Sequence, residues 1–180
     1  MEMIKVDLTE TNTTEVKNEE KERKEAEGQK AEESEIREPR RLSAEKIAEI
    51  LPHRYPFALV DRIEDYEPGQ WAKGRMCVSQ QAPWFQGHFP EHPVLPGVLL
   101  LEALAQTGAV ALLDLAEYKG KLPLFGGVQK ARFRRQVVPG DVVELSCEII
   151  ERKGTVGIGK AVATVDGKRV CDAQLLFAIM

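Results

Sequence analysis

No aromatic side chain occurs before Tyr55, and aromatics make up only 6% of the 180 residues. Cysteine is scarce as well. Cys77, Cys147 and Cys171 are odd in number and share no short repeated spacing. That excludes a disulfide scaffold or a CxxC zinc site and fits a reducing compartment. No run of about 18 uncharged apolar residues is present, so no membrane-spanning helix is expected. Met1-Glu2-Met3-Ile4-Lys5 lacks a basic stretch leading into an apolar one, so no secretory signal is read and the expected address is the cytoplasm. A basic excess is also missing: 25 Lys and Arg face 29 Asp and Glu, for a net charge of −4. This argues against a general nucleic-acid binder.

The charge is unevenly placed. Residues 1–41 hold 13 acidic and 9 basic side chains, whereas 42–180 hold 16 of each. The whole net charge therefore belongs to the first segment. High charge without aromatic groups leaves too little apolar surface to offset the entropy of ordering. The expectation for 1–41 is a charged extension, disordered or a solvated helix, and for 42–180 a single folded domain.

Within 42–180, Ser43 caps a short helix with Ile47, Ile50 and Leu51 on one side, and Pro52 ends it. Strands are read at 57–65 and 71–79 around the Pro68-Gly69 turn. A loop with Pro83, Pro90 and Pro93 follows. Pro96-Gly97 opens a long helix running to about Tyr118. Four strands near 124–135, 142–152, 155–165 and 168–178 complete the chain, with Pro139-Gly140-Asp141 and Asp166-Gly167 as turns. With no regular strand–helix alternation, the class is α+β with a largely antiparallel sheet. The long helix is apolar on every side, so it must be buried, and a sheet wrapped around it would do so. Glu102 is the exception. A buried carboxylate needs a partner, and Gln106, four residues on, shares its face.

Two features carry candidate chemistry. The loop Gln86-Gly87-His88-Phe89-Pro90 holds a histidine in a proline-stiffened setting. The helix start at Gly97 offers unpaired backbone N–H groups and a partial positive charge, with no side chain to keep a ligand away. A base, an acid and an oxyanion site are the parts needed to abstract a proton beside a carbonyl. On the residues alone, a structural histidine and a structural carboxylate remain the alternative. His88 and His92 flank Glu91 at zinc-ligand spacing, but Pro90 and Pro93 keep the segment out of a helix, so no metal is expected. Gly154 to Lys160 fits GxxxxGK, with Ala161 where a metal-binding hydroxyl belongs, and reads as a turn into a strand. His53, between Pro52 and Arg54, reads as structural. The three cysteines read as small buried hydrophobes. Lys130, Arg132, Arg134 and Arg135 form the densest basic cluster, with the first three on one strand face.

The run Leu51-Pro52-His53-Arg54-Tyr55-Pro56-Phe57-Ala58-Leu59-Val60-Asp61-Arg62 resembles the opening of the 3-hydroxyacyl-[acyl-carrier-protein] dehydratases of bacterial fatty-acid synthesis. Gln86 to Pro90, and Pro93 to Gln106 with Gly97 and Glu102, resemble that family's active-site signature. Lys130 to Arg135 with Val138-Pro139-Gly140-Asp141 resembles its later basic strand and turn. Gln129 and Gln136 depart from the pattern. The resemblance spans about 45–180. It implies the hotdog fold, a curved antiparallel sheet wrapped around a long central helix. It implies homodimers with shared active sites, assembled as trimers of dimers, and makes acyl carrier protein the partner.

The implied reaction converts a (3R)-3-hydroxyacyl thioester to the trans-2-enoyl thioester and water. It needs no metal or cofactor beyond the carrier's phosphopantetheine. His88 and Glu102, from different subunits, are then the catalytic pair. The Gly97 N–H binds the thioester carbonyl, and Gln106 supports Glu102. Phe85, Phe89, Leu95, Val98 and Phe133 are candidates for the acyl tunnel. Lys130, Arg132, Arg134 and Arg135 are candidates for carrier docking. Alternatives are a dehydratase that also isomerises trans-2 to cis-3 enoyl chains, a hotdog thioesterase, and a non-catalytic acyl-thioester binder.

Overall fold

Residues 37–180 are described by a computed structural model, so the expected state of 1–36 lies outside the described residues. Pro39–Met180 form one unit. Its entry is tied down early: the Arg40 N–H donates to Asp65 Oδ1 at 2.9 Å, and Leu42 bridges to Ile63. The short helix α1 (Ala44–Ile50) buries Ile47 and stops before Pro52. The Arg54 guanidinium then donates to the carbonyls of Ala48, Leu51 and His53. It thereby satisfies acceptors that the end of a helix leaves open.

Six strands make one antiparallel sheet in the order β1-β2-β4-β5-β6-β3. They are β1 (Arg62–Glu67), β2 (Trp71–Cys77), β3 (Pro123–Phe133), β4 (Val142–Lys153), β5 (Val156–Val165) and β6 (Lys168–Ile179). Ala72, Gly74 and Met76 of β2, and Val143, Leu145 and Cys147 of β4, are buried while their neighbours face outward. That is the two-residue period of a sheet with one covered face. The cover is the helix α2 (Gly97–Leu113), which packs chiefly on β4, β2 and β5. Asp166 and Gly167, at φ 49° and 69°, make the two-residue turn between β5 and β6. Asp-Gly is the sequence such a turn favours.

Two boundaries differ from the sequence reading by about five residues. Strand β1 starts at Arg62 rather than near Phe57, because the backbone at 57–59 is bonded by the Gln106 side chain instead of by a strand. Helix α2 ends at Leu113 rather than near Tyr118. The Gly69 N–H in the β1–β2 turn takes the Ala111 carbonyl, the acceptor the next helical turn needs, and Leu115 bonds back to Leu112 instead.

Helix and sheet approach closely at Gly108. A Cβ there would lie 2.6 Å from Cys147 Sγ. Gly108→Ala is expected to destabilise the fold by about 1–3 kcal/mol through overpacking. Thermal unfolding checks this, and adding Cys147→Ala is expected to recover most of the loss. Equal midpoints for wild type and the single variant would contradict the close packing.

Strand β3 is an edge strand, and it is mostly exposed along its length, including Leu124, Phe125, Val128 and Phe133. Among the described residues, no helix is long and apolar enough to cross a membrane.

Candidate active site

Glu102 lies in the second turn of α2, and one turn later Gln106 is only 1% exposed. Gln106 Nε2 donates to Glu102 Oε1 at 2.8 Å and to the Phe57 carbonyl at 2.8 Å. Its Oε1 accepts the Leu59 N–H at 3.0 Å. A carbonyl only accepts and a backbone N–H only donates, so the amide has one possible orientation. Gln106 therefore pins both the carboxylate and the extended segment that passes over it. His53 Nε2 lies 3.3 Å from the same Glu102 oxygen. The sequence reading took His53 as structural and missed this placement. The signal was its position inside the 51–62 block that carries the family resemblance.

His88 sits in the loop before α2. Its Nδ1 is 2.7 Å from the Val94 carbonyl, and the Val94 N–H returns to the His88 carbonyl at 3.1 Å. Because a carbonyl can only accept, Nδ1 carries the hydrogen. In the neutral ring, Nε2 is then the atom with a free lone pair. Phe89 stacks on the imidazole with ring centroids 4.2 Å apart. His88 lines a cleft with Leu95, Gly97, Val98, Phe133 and Arg134. Among the described residues no carbonyl accepts the Gly97 or Val98 N–H. Two donors at a helix N-terminus are thus left free beside the histidine. A Cβ on Gly97 would meet the Phe133 ring at 3.0–3.2 Å.

Within one chain no hydrogen bond or ion pair joins His88 to Glu102. Glu102 lines a different cavity, between α2 and the sheet, together with His53, Gln106, Leu112, Phe125, Ile149 and Leu175. None of the five tunnel candidates lines this cavity. Leu95, Val98 and Phe133 are at the His88 cleft, whereas Phe89 is half exposed against the imidazole. Phe85 is buried in the core and lines neither of these two cavities. Pro83–Gln86 wind into a short 3-10 helix, which the loop reading did not contain, and this turn carries the ring inward.

The basic cluster divides. Lys130 and Arg132 are exposed on β3, but the strand ends at Phe133, so Arg134 and Arg135 lie beyond it. Arg134 Nε is 2.6 Å from Asp172 Oδ1, and this bond holds the Asp172 carboxyl below its usual range. Burial pushes the Cys147 and Cys171 thiols up to about 12 and about 11, so they pack as neutral hydrophobes. Cys77 is exposed, contrary to the reading of all three as buried, because it falls on the outward phase of β2. Among the described residues, no cluster of three potential metal ligands occurs. The GxxxxGK-like stretch is a turn running into β5.

A six-stranded antiparallel sheet folded on one long apolar helix defines the chain as a hotdog protein. Solved structures with this architecture include the dehydratase heterocomplex ApeI:P from Xenorhabdus doucetiae, at TM-score 0.63 and 16% identity, covering 73% of this chain and 89% of that one. Another is a hypothetical thioesterase with coenzyme A from Streptococcus pneumoniae TIGR4, at TM-score 0.51 and 15% identity, covering 66% and 84%. A family model described as a FabA-like domain matches residues 51–174. The 3-hydroxyacyl-[acyl-carrier-protein] dehydratase FabZ of Clostridium novyi (strain NT) is 56% identical over 138 residues, 77% of this chain and 97% of that protein. The enzyme of the same name from Clostridium botulinum (strain Loch Maree / Type A3) is 57% identical over 138 residues, 77% and 96%. This chain belongs to the 3-hydroxyacyl-[acyl-carrier-protein] dehydratase family.

Proposed function

We propose that this chain removes water from (3R)-3-hydroxyacyl groups carried on acyl carrier protein during fatty-acid elongation, at sites built from His88 of one subunit and Glu102 of another. The observation that carries this reading is the His88 Nδ1 contact to the Val94 carbonyl at 2.7 Å. It leaves Nε2 as a base in the cleft that also contains the free Gly97 N–H. His88 Nε2 takes the C2 proton. The Gly97 N–H and the helix dipole stabilise the negative charge that develops on the thioester oxygen. Glu102 gives a proton to the C3 hydroxyl, which leaves as water as the C2–C3 double bond forms. Proton return from His88 to Glu102 through solvent resets the pair. No metal or cofactor is required, because the thioester itself acidifies C2.

A shared site is supported by the separation of His88 and Glu102 into different cavities of one chain. The exposed apolar edge strand β3 supports a second copy pairing there. We read the assembly as a homodimer, with three dimers in a hexamer, working in the cytoplasm. The chain is assayed with 3-hydroxybutyryl thioester by following enoyl absorbance, and the double-bond position identifies the product. Only trans-2-enoyl is expected, and cis-3-enoyl would turn the reading to the isomerising dehydratases. Mixing His88→Ala chains with Glu102→Gln chains is expected to restore about a quarter of wild-type activity, since half of the random dimers regain one intact site. No recovery after subunit exchange would place both groups in one chain.

Lys130, Arg132 and Arg135 remain as the docking cations for the carrier protein, while Arg134 is engaged by Asp172. Reversing Lys130 and Arg132 to Glu is expected to weaken carrier binding at low salt and to flatten its salt dependence. Unchanged affinity at low salt would rule this surface out.

A further inference from the structure

We propose that His53 is a positioning residue for Glu102: with Gln106 it occupies both lone pairs of Oε1, so that Oε2 alone holds and delivers the acidic proton. This inference rests on the dehydratase reading of Glu102. Gln106 already donates to Oε1 at 2.8 Å, and its amide cannot turn because the Phe57 carbonyl and Leu59 N–H fix it. His53 Nε2 lies 3.3 Å from that same oxygen. A slight turn of the ring aligns it, a tightening common when a catalytic site fills with substrate.

The tautomer follows from what surrounds the other nitrogen. His53 Nδ1 is buried and has no hydrogen-bond partner. An orphaned buried N–H is rarer than an orphaned acceptor, so the lone pair belongs on Nδ1 and the hydrogen on Nε2, pointing at the carboxyl. Two donors then converge on Oε1. A proton on Oε1 would meet two other hydrogens, whereas one on Oε2 meets none. The backbone of His53 is held for this task. Arg54 donates to its carbonyl at 2.7 Å and to the Leu51 carbonyl at 2.8 Å, fixing the turn between Pro52 and Pro56.

Histidine is also the residue whose removal can be graded. The amide nitrogen of Gln reaches about where imidazole Nε2 lies, while that of Asn reaches only to Nδ1. We measure kcat and KM for His53→Leu, His53→Gln and His53→Asn in the full chain, with thermal midpoints as a control of folding. His53→Leu and His53→Asn are expected to lower kcat about tenfold or more, as for a lost hydrogen bond to an ionisable group. KM should stay within about twofold, because a positioning role acts on the transition state rather than on uniform substrate binding. His53→Gln is expected to recover kcat to within about threefold of wild type, since it keeps the donor. Should His53→Leu fail to fold, the Gln and Asn variants still decide. Equal kcat for those two, or wild-type kcat in either apolar or short variant, would overturn the positioning role. A wild-type chain that does not dehydrate the thioester would refute the reading of Glu102 itself, which separates the two failures.

Discussion

His88→Asn and Glu102→Gln are each expected to lower kcat by about 10²–10⁴-fold, the usual worth of a proton-transfer group, in chains that fold and assemble normally. The substitutions isolate chemistry from architecture. Asn at position 88 retains an amide donor that reaches the Val94 carbonyl, now bonded at 2.7 Å, but it lacks the basic nitrogen at Nε2. Gln at position 102 keeps an oxygen to receive the Gln106 donor, now at 2.8 Å, but it has no acidic proton to give. Both effects should fall on kcat and kcat/KM alike, because the lost interactions belong to the transition state. Kinetics on the 3-hydroxyacyl thioester, together with light scattering on the assembly, check both halves. Activity near the wild-type level in either variant would remove that residue from the mechanism.

Gln106→Leu is expected to cost about 3–5 kcal/mol of stability, besides most of the activity. Gln106 is 1% exposed and its side chain makes three bonds. Leucine would leave the buried Leu59 N–H and the part-buried Phe57 carbonyl without their partner, and would free Glu102 Oε1 from its strongest restraint. Each orphaned group carries a desolvation cost of about 1–3 kcal/mol. Against a total stability of about 5–15 kcal/mol, that loss is severe. Denaturant unfolding is the check, read as a lower midpoint at unchanged slope. A variant within about 0.5 kcal/mol of wild type, the range of ordinary surface changes, would show that this buried network is not what holds the 57–59 segment on α2.

Most of the fold was legible because its signals are local. The all-round apolar helix, the two-residue alternation of β2 and β4 and the Asp166-Gly167 turn each follow from neighbouring residues. So did the Glu102–Gln106 pair, since helical geometry alone brings residues four apart together. What could not be read were contacts between distant segments. Gln106 captures the backbone at 57–59, the Gly69 N–H takes an α2 carbonyl, and His53 arrives beside Glu102 from across the fold. The sequence carries no spacing rule for such pairs. The burial of Phe85 is of the same kind: flanking residues show that a ring is present but not which way a 3-10 turn points it.

The sequence by itself determined the architecture, the family and the residue types available for proton transfer. Periodicity, turn chemistry and an extended motif are all written along the chain. Tertiary structure alone decided which nitrogen of His88 is free, which oxygen of Glu102 is bound, and that these two groups line separate cavities of one chain. Those are questions of direction and distance between side chains on different elements, and only packing sets them.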